Sequence, residues 1–140
     1  VTLRFIGDLA RPDANELAEA LATIRIASFP VEIEGVGHFE RKGVARAVWA
    51  RVKPSAPLST LKKKIDRLCQ GLGHQDDHRQ FQPHITLARL NMSSGPIGGF
   101  LARHADLHPP RFIAAQFTLF ESHMGGGGSH YEAVADYPLA

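Results

Sequence analysis

The spacing of apolar residues along the chain predicts a mixture of short strands and amphipathic helices. Apolar and polar residues alternate, as in half-buried strands, over residues 1–7, 31–36, 44–52, 84–90, 112–120 and 131–137. In two other segments apolar residues recur every three or four positions, which predicts two longer helices. A third, shorter helix is predicted near residues 97–105.

The two longer helices have predicted starts and apolar faces. The first is predicted to begin at an Asp13 N-cap, with Glu16 three positions later, and to end before Pro30. The second has Pro57 in its first turn, where proline is favoured. The apolar positions on their faces are Leu17, Leu21, Ile24, Leu58, Leu61, Ile65, Leu68 and Leu72. The lysine run at residues 62–64 is predicted to be a solvated face.

Turn residues between the strands indicate hairpins and hence an antiparallel arrangement. The segment Arg41-Lys42-Gly43 separates two predicted strands, and the glycine-rich segment 124–129 separates the last two. The second segment also has the composition of a flexible linker, but a hairpin loop is favoured because only about ten residues follow it. Strands and helices do not alternate regularly, so the sequence predicts an α+β fold with largely antiparallel sheets and outer helices.

Length and charge narrow the function classes. The 140 residues fit one domain, and 16 Lys+Arg against 14 Asp+Glu leave a net charge of only +2. This balance does not favour nonspecific binding to long nucleic acid. The single cysteine, Cys69, cannot form an internal disulfide, which favours a reducing, intracellular setting. The chain begins with Val1 rather than Met, so we expect residues of the gene product upstream of it.

A short repeat contains the candidate catalytic residues. Residues 85–87 read I-T-L and follow His84, and residues 1–3 read V-T-L at the start of the sequence. On a strand His84 and Thr86 would project from one face, while Ile85 and Leu87 would enter the core. A hydroxyl beside an imidazole can hold a phosphate oxygen while the imidazole moves a proton.

These segments resemble the 2H phosphoesterases, and in particular the RNA 2′,3′-cyclic phosphodiesterases, which are also called 2′-5′ RNA ligases. The second motif of that family, F-x-P-H-x-T-L-x-R, is complete at residues 81–89. The first motif, H-x-T-L-x-F-x-G, is matched over residues 2–7. The closing pattern F-E-S…G-S-x-Y-E…P-L is matched by residues 120–122, 128–132 and 138–139.

The resemblance implies a bilobal, pseudo-symmetric α+β fold with a central cleft, as one 2H phosphoesterase domain over residues 1–140. It implies that His84 is catalytic and that Thr2, Thr86 and Arg89 bind the substrate phosphate. Strict alternation puts Arg89 on the strand face opposite His84, so its assignment rests on the resemblance alone. No metal and no cofactor are implied.

The activity implied is hydrolysis of 2′,3′-cyclic phosphates at the ends of RNA or short oligonucleotides, which leaves 2′-phosphates. Two histidines supply the acid and the base, and the reverse reaction would join a 2′-hydroxyl to a cyclic phosphate. We expect a monomer in the cytoplasm with no membrane contact. The first catalytic histidine of the family falls one position before Val1, and an earlier strand and helix are expected upstream, so the domain is N-terminally incomplete.

Alternative interpretations remain open at this point. The protein could instead act on small cyclic nucleotides or 2′-5′ oligonucleotides, or bind terminal phosphates without catalysis. The pairs His74/His78 and His104/His108 have the spacing of metal ligands on a helix, but no third ligand of suitable spacing follows, so surface histidines are favoured. Cys69 lies beside apolar helix positions and is predicted to be a core residue.

Overall fold

The computed structural model of the protein describes residues 1–76 and 78–140. Within them the helices are α1 (Arg11–Leu21), α2 (Ala56–Gly71) and α3 (Gly98–Arg103). The strands are β1 (Phe29–Val31), β2 (Ile33–Arg41), β3 (Val44–Val52), β4 (His84–Arg89), β5 (Phe112–Ala114), β6 (Gln116–Gly125) and β7 (Gly128–Pro138). Strands β2, β3 and β4 pair antiparallel, as do β6 and β7, which confirms the α+β class. No helix in these residues is long and apolar enough to cross a membrane.

The chain divides into two compact units. The first comprises residues 1–3, 30–56 and 79–112, and the second comprises residues 4–29, 57–78 and 113–140. The division passes through the short strands β1 and β5, which are therefore not assigned to either unit. The prediction of one domain over residues 1–140 stays a prediction.

The first unit is built on the sheet β2–β3–β4, with β3 in the centre. Strands β2 and β3 are joined at Lys42 and Gly43, whose φ angles of 54° and 75° are both positive, as a two-residue type I′ turn requires. This confirms the predicted hairpin. Trp49 on β3 is 2% exposed and lies opposite Gly37 on β2. A Cβ added at Gly37 would lie 2.5 Å from Cζ2 of Trp49, so only glycine leaves room for the indole.

The second unit contains α1, α2 and the hairpin β6–β7. The glycine-rich segment joins these strands, which confirms the hairpin loop. The rings of Phe117 and Tyr137 stack with their centroids 4.8 Å apart, and the Tyr137 hydroxyl donates a hydrogen bond to the Ala18 carbonyl at 2.9 Å. Buried apolar residues of this unit are Leu17, Leu21, Ile24, Leu58, Leu61, Ile65, Cys69, Phe117, Tyr137 and Leu139. Leu68 and Leu72 are only partly buried.

The predicted first strand is absent, since residues 1–10 have no regular secondary structure. Alternation predicts an extended shape, but a strand also needs a partner for its backbone groups, and alternation does not identify one. The Arg4 side chain, only 2% exposed, instead pairs with Asp66 at 2.8 Å. Asp66 also forms an ion pair with Lys62 at 2.6 Å. Lys62 is buried, so the lysine run is solvated only at Lys63 and Lys64.

Two other predicted boundaries are wrong. Helix α1 begins at Arg11, with Ala10 in the N-cap position and no side-chain cap, because Pro12 in the first turn needs no hydrogen-bond partner for its nitrogen. Asp13 therefore lies inside the first turn, and the helix ends at Leu21. The long strand predicted at residues 112–120 is interrupted at Ala115, whose carbonyl accepts a hydrogen bond from Leu139 N at 2.8 Å.

Candidate active site

Strand β4 brings three of the predicted site residues to one face of the first unit's sheet. Strand β3 runs in regular register against β2 from Ala50 to Ala47, so Ala47 and Trp49 share a face with Arg51. Residues of β4 that pair with these three positions must point to the same side. The pairs are Arg51 with His84, Trp49 with Thr86, and Ala47 with Arg89.

An extra residue in β4 makes this arrangement possible. Val48 pairs with Ala88 and Trp49 with Thr86, so Leu87 has no opposite residue and forms a β-bulge. The bulge reverses the alternation, which puts Arg89 on the face of His84 rather than opposite it. It also explains why Leu87 is 52% exposed, although we expected it in the core.

His84 is held in one orientation by its neighbours. Its Nδ1 lies 2.7 Å from the Gln82 carbonyl oxygen, and because a carbonyl can only accept, Nδ1 carries the proton that is donated. In the neutral ring Nε2 then has a free lone pair. The imidazole meets the ring of Phe39 edge-on at 4.9 Å and the Trp49 ring at 5.6 Å, measured between centroids. The ring is half-buried, so it remains accessible from solvent.

The two threonines differ in their surroundings. Thr86 is an exposed residue of β4, two positions from His84. Thr2 is also exposed and belongs to the same unit as His84, but it lies on no strand, so the expected pair of neighbouring strands is wrong for Thr2. Their binding of phosphate stays a prediction, as do the assignments of His84 and Arg89.

Arg51 is a further candidate site residue, which the sequence alone did not identify. It pairs with His84 across the strands, and its guanidinium lies 5.6 Å from the Trp49 ring centroid, over the ring. The side chain is exposed and makes no ion pair with any residue the structure describes. The sequence does contain a signal for this residue. Arg51 lies two residues after Trp49 on one strand, and alternation places both side chains on one face.

The histidine pairs do not form a metal centre in the described residues. Within residues 1–76 and 78–140 no group of three or more His, Cys, Asp or Glu side chains could hold a metal ion. Cys69 is fully buried, as expected for a core residue, and its burial raises the pKa of the thiol. It therefore has no feature of an activated nucleophile.

The comparison with protein families identifies this architecture. Residues 1–124 match the family model of the 2′-5′ RNA ligase superfamily, which is most of the chain. The chain belongs to the 2′-5′ RNA ligase superfamily. Two relatives of the chain are both named RNA 2′,3′-cyclic phosphodiesterase. The protein from Aeropyrum pernix is 38% identical over 91 residues, covering 64% of this chain and 52% of the relative. The protein from Geobacillus stearothermophilus is 30% identical over 141 residues, covering 99% of this chain and 45% of the relative.

Solved structures share the fold of this chain. The crystal structure of TT0787 of Thermus thermophilus matches with a TM-score of 0.77 and 24% identity, over 99% of this chain and 76% of that one. The crystal structure of Escherichia coli LigT complexed with 3′-AMP matches with a TM-score of 0.75 and 23% identity, over 99% and 75%. The chain spans about half the length of the two curated relatives named above.

Proposed function

We propose that the protein hydrolyses 2′,3′-cyclic phosphates at RNA ends to 2′-phosphates, without a metal ion. The observation that carries the proposal is the shared face of His84, Thr86 and Arg89, a base, a hydroxyl and a cation in one row. The relatives named RNA 2′,3′-cyclic phosphodiesterase support the choice of reaction. A terminal nucleotide also suits the net charge of +2, because long nucleic acid is usually bound by strongly basic proteins.

His84 acts as the general base in this proposal. Nε2 takes a proton from water, the water oxygen attacks phosphorus, and the bond from phosphorus to the 3′-oxygen breaks. A second imidazole, implied by the resemblance to the two-histidine family, protonates the departing 3′-oxygen, and the product carries a 2′-phosphate and a 3′-hydroxyl. The hydrogen bond from Nδ1 to Gln82 supports the base role, because it leaves the lone pair on Nε2.

The remaining residues bind the phosphate oxygens. Arg89 and the hydroxyls of Thr86 and Thr2 would donate hydrogen bonds to the non-bridging oxygens and offset the negative charge that builds up in the transition state. In the ligation reaction the same residues would hold a cyclic phosphate while the 5′-hydroxyl of a second RNA takes the place of water. Its oxygen attacks phosphorus and the 3′-oxygen leaves, which gives a 2′-5′ linkage, whereas the 2′-hydroxyl expected from the sequence would give a 2′-2′ linkage. We further predict that the protein works as a monomer in the cytoplasm.

The decisive test is His84→Ala in the full-length natural protein. We expect the turnover of a nucleoside 2′,3′-cyclic phosphate to fall by roughly 10²–10⁴-fold, the usual range for a positioned acid or base. Chromatography of the wild-type product should show the 2′-nucleotide and no 3′-nucleotide. His108→Ala, an exposed histidine of the same unit, is the matched control and should keep full activity.

Other outcomes separate the alternatives. Unchanged turnover in His84→Ala would remove His84 from the mechanism. Tight binding of a 2′-phosphate by the wild-type protein without any turnover would favour a binding module. Faster turnover of 2′-5′ oligonucleotides than of cyclic ends would favour the alternative substrate class.

A further inference from the structure

A pocket lies at the tip of the β2–β3 hairpin, outside the row of proposed catalytic residues. We call it the hairpin pocket, and it is lined by Phe39, Glu40, Arg41, Lys42 and Arg46. The lining combines one aromatic ring with three cationic side chains. Rings of this kind stack on bases and cations of this kind neutralise phosphates in proteins that bind single-stranded nucleic acid.

The cations of the hairpin pocket are not used by the protein itself. Glu40, the one carboxylate in the lining, lies 2.9 Å from Nε2 of His38. Arg41, Lys42 and Arg46 are exposed, and their side chains make no ion pair with any residue in the described part of the chain. Three neighbouring positive charges without an internal partner leave the pocket suited to an anionic ligand.

The hairpin pocket is continuous with the candidate active site through two residues. Phe39 lines the pocket, is 38% exposed, and contacts the His84 ring edge-on. The backbone carbonyl of Arg46 accepts a hydrogen bond from Leu90 N at 2.8 Å, directly beyond Arg89. From the level of Trp49 and Thr86, strand rise places Arg46 about 10 Å along the sheet. That distance is beyond the reach of the reacting phosphate alone, but within reach of an adjoining nucleotide.

We propose that the hairpin pocket binds the single-stranded RNA that leads into the cyclic phosphate end, with a base against Phe39 and backbone phosphates against Arg41, Lys42 and Arg46. This inference rests on the proposed function and adds its substrate class, because the pocket gives an advantage only to a substrate longer than one nucleotide. Single-stranded RNA is favoured over a duplex, since a base can reach Phe39 only when it is unpaired.

The test compares two triple variants of the full-length natural protein. R41Q/K42Q/R46Q removes the pocket cations, and K63Q/K64Q/R67Q removes the same charge from the exposed side of α2 in the other unit. The two substrates are a nucleoside 2′,3′-cyclic phosphate and an RNA of about four nucleotides with the same end, the lower limit of typical single-strand sites. Measuring kcat/KM for both separates the reaction site from the pocket.

We expect R41Q/K42Q/R46Q to lower kcat/KM for the longer RNA by at least roughly tenfold and to change the mononucleotide value by less than about twofold. The dependence of affinity on salt should also become shallower, by about 0.7 in the log–log slope for each RNA phosphate that the variant no longer neutralises. K63Q/K64Q/R67Q should leave both quantities unchanged.

Three results would overturn the inference. They are an equal loss on both substrates, an equal effect of the α2 variant, and no effect of the pocket variant on the longer RNA. Fluorescence anisotropy with an RNA that ends in a 2′-phosphate measures the same preference without turnover. If the wild-type protein hydrolyses neither substrate, the proposed function fails, and the anisotropy of the two variants still decides on the pocket.

Discussion

Arg89 lies on the same face of the sheet as His84, although five positions separate them along β4. An odd separation puts two residues of a regular strand on opposite faces. The unpaired residue Leu87 reverses the alternation between them and so brings a cation into the row of His84 and Thr86. The bulge is therefore the local feature on which the phosphate-binding role of Arg89 depends.

Arg89→Gln should weaken the binding of the phosphate at the candidate site. The substitution removes the positive charge and leaves the bulge at Leu87 and the pairing of β4 with β3 in place. A hydrogen bond to a charged group is worth about 1.5–3 kcal/mol, so we expect kcat/KM for a cyclic phosphate to fall by roughly 10- to 100-fold. Steady-state kinetics on the variant and on the wild-type protein will check this loss.

Leu87→Ala is the control for this substitution. It keeps the extra residue and removes a side chain that is half exposed, so both activity and the urea midpoint should stay close to wild type. Full activity of Arg89→Gln would show that the cation of Arg89 takes no part in the reaction.

The sequence predicts features that a few neighbouring residues determine, and it does not predict features that depend on a distant partner. Local periodicity was sufficient for α2 and for the hairpin at Lys42 and Gly43, since burial of one face and a positive φ are determined within a few residues. The bulge at Leu87 is not visible in a pattern of alternation, because it is defined by the partner strand. For the same reason alternation alone predicted a strand at residues 1–7, where Arg4 pairs instead with Asp66.

Gly37→Ala tests whether the packing of Trp49 holds His84 in position. The new Cβ would overlap the indole of Trp49, whose ring contacts His84, so the indole must shift. Overpacking of this kind costs roughly 1–3 kcal/mol, and we expect a lower urea midpoint together with reduced kcat. Trp49 is the sole tryptophan, so its emission reports the displacement directly.

Gly99→Ala is the control for Gly37→Ala, and here the added Cβ is expected to stabilise the protein. Gly99 lies in α3 with no atom within 4 Å of an added Cβ, and alanine there should stabilise the helix by about 0.5–1 kcal/mol. An unchanged emission spectrum and normal activity in Gly37→Ala would show that the Trp49 position is not needed to hold His84.

Hydrolysis by the full-length natural protein should survive excess EDTA. In the proposal both proton transfers use imidazoles, and the charge on the phosphate is offset by Arg89 and hydroxyl groups, so no step requires a divalent ion. The measurement is kcat/KM before and after chelation and dialysis. Loss of activity that is restored by a divalent ion would instead favour a metal-dependent reaction, with His74/His78 and His104/His108 as the first ligands to mutate.

Cys69 should make the stability of the fold depend on alkaline pH. Burial raises the pKa of its thiol in the folded protein, whereas the unfolded thiol ionises near the ordinary value of about 8.5. The unfolded state therefore releases its proton first as the pH rises. The contribution to stability is fully present below the unfolded pKa and is lost progressively as the pH rises through the folded pKa. Urea unfolding between neutral pH and about pH 10 should show this loss.

Cys69→Ala separates the thiol from other groups that ionise at alkaline pH. The substitution should reduce the slope of stability against pH above about 8.5, while lowering stability at every pH through the cavity it leaves. Burial also raises the pKa of Tyr137, so this group lowers stability in the same direction at higher pH. Both proteins retain Tyr137, so the difference between their slopes isolates the thiol. Equal slopes in the two proteins would mean that the thiol ionises at the same pH whether the chain is folded or unfolded, and its burial would then have no electrostatic consequence.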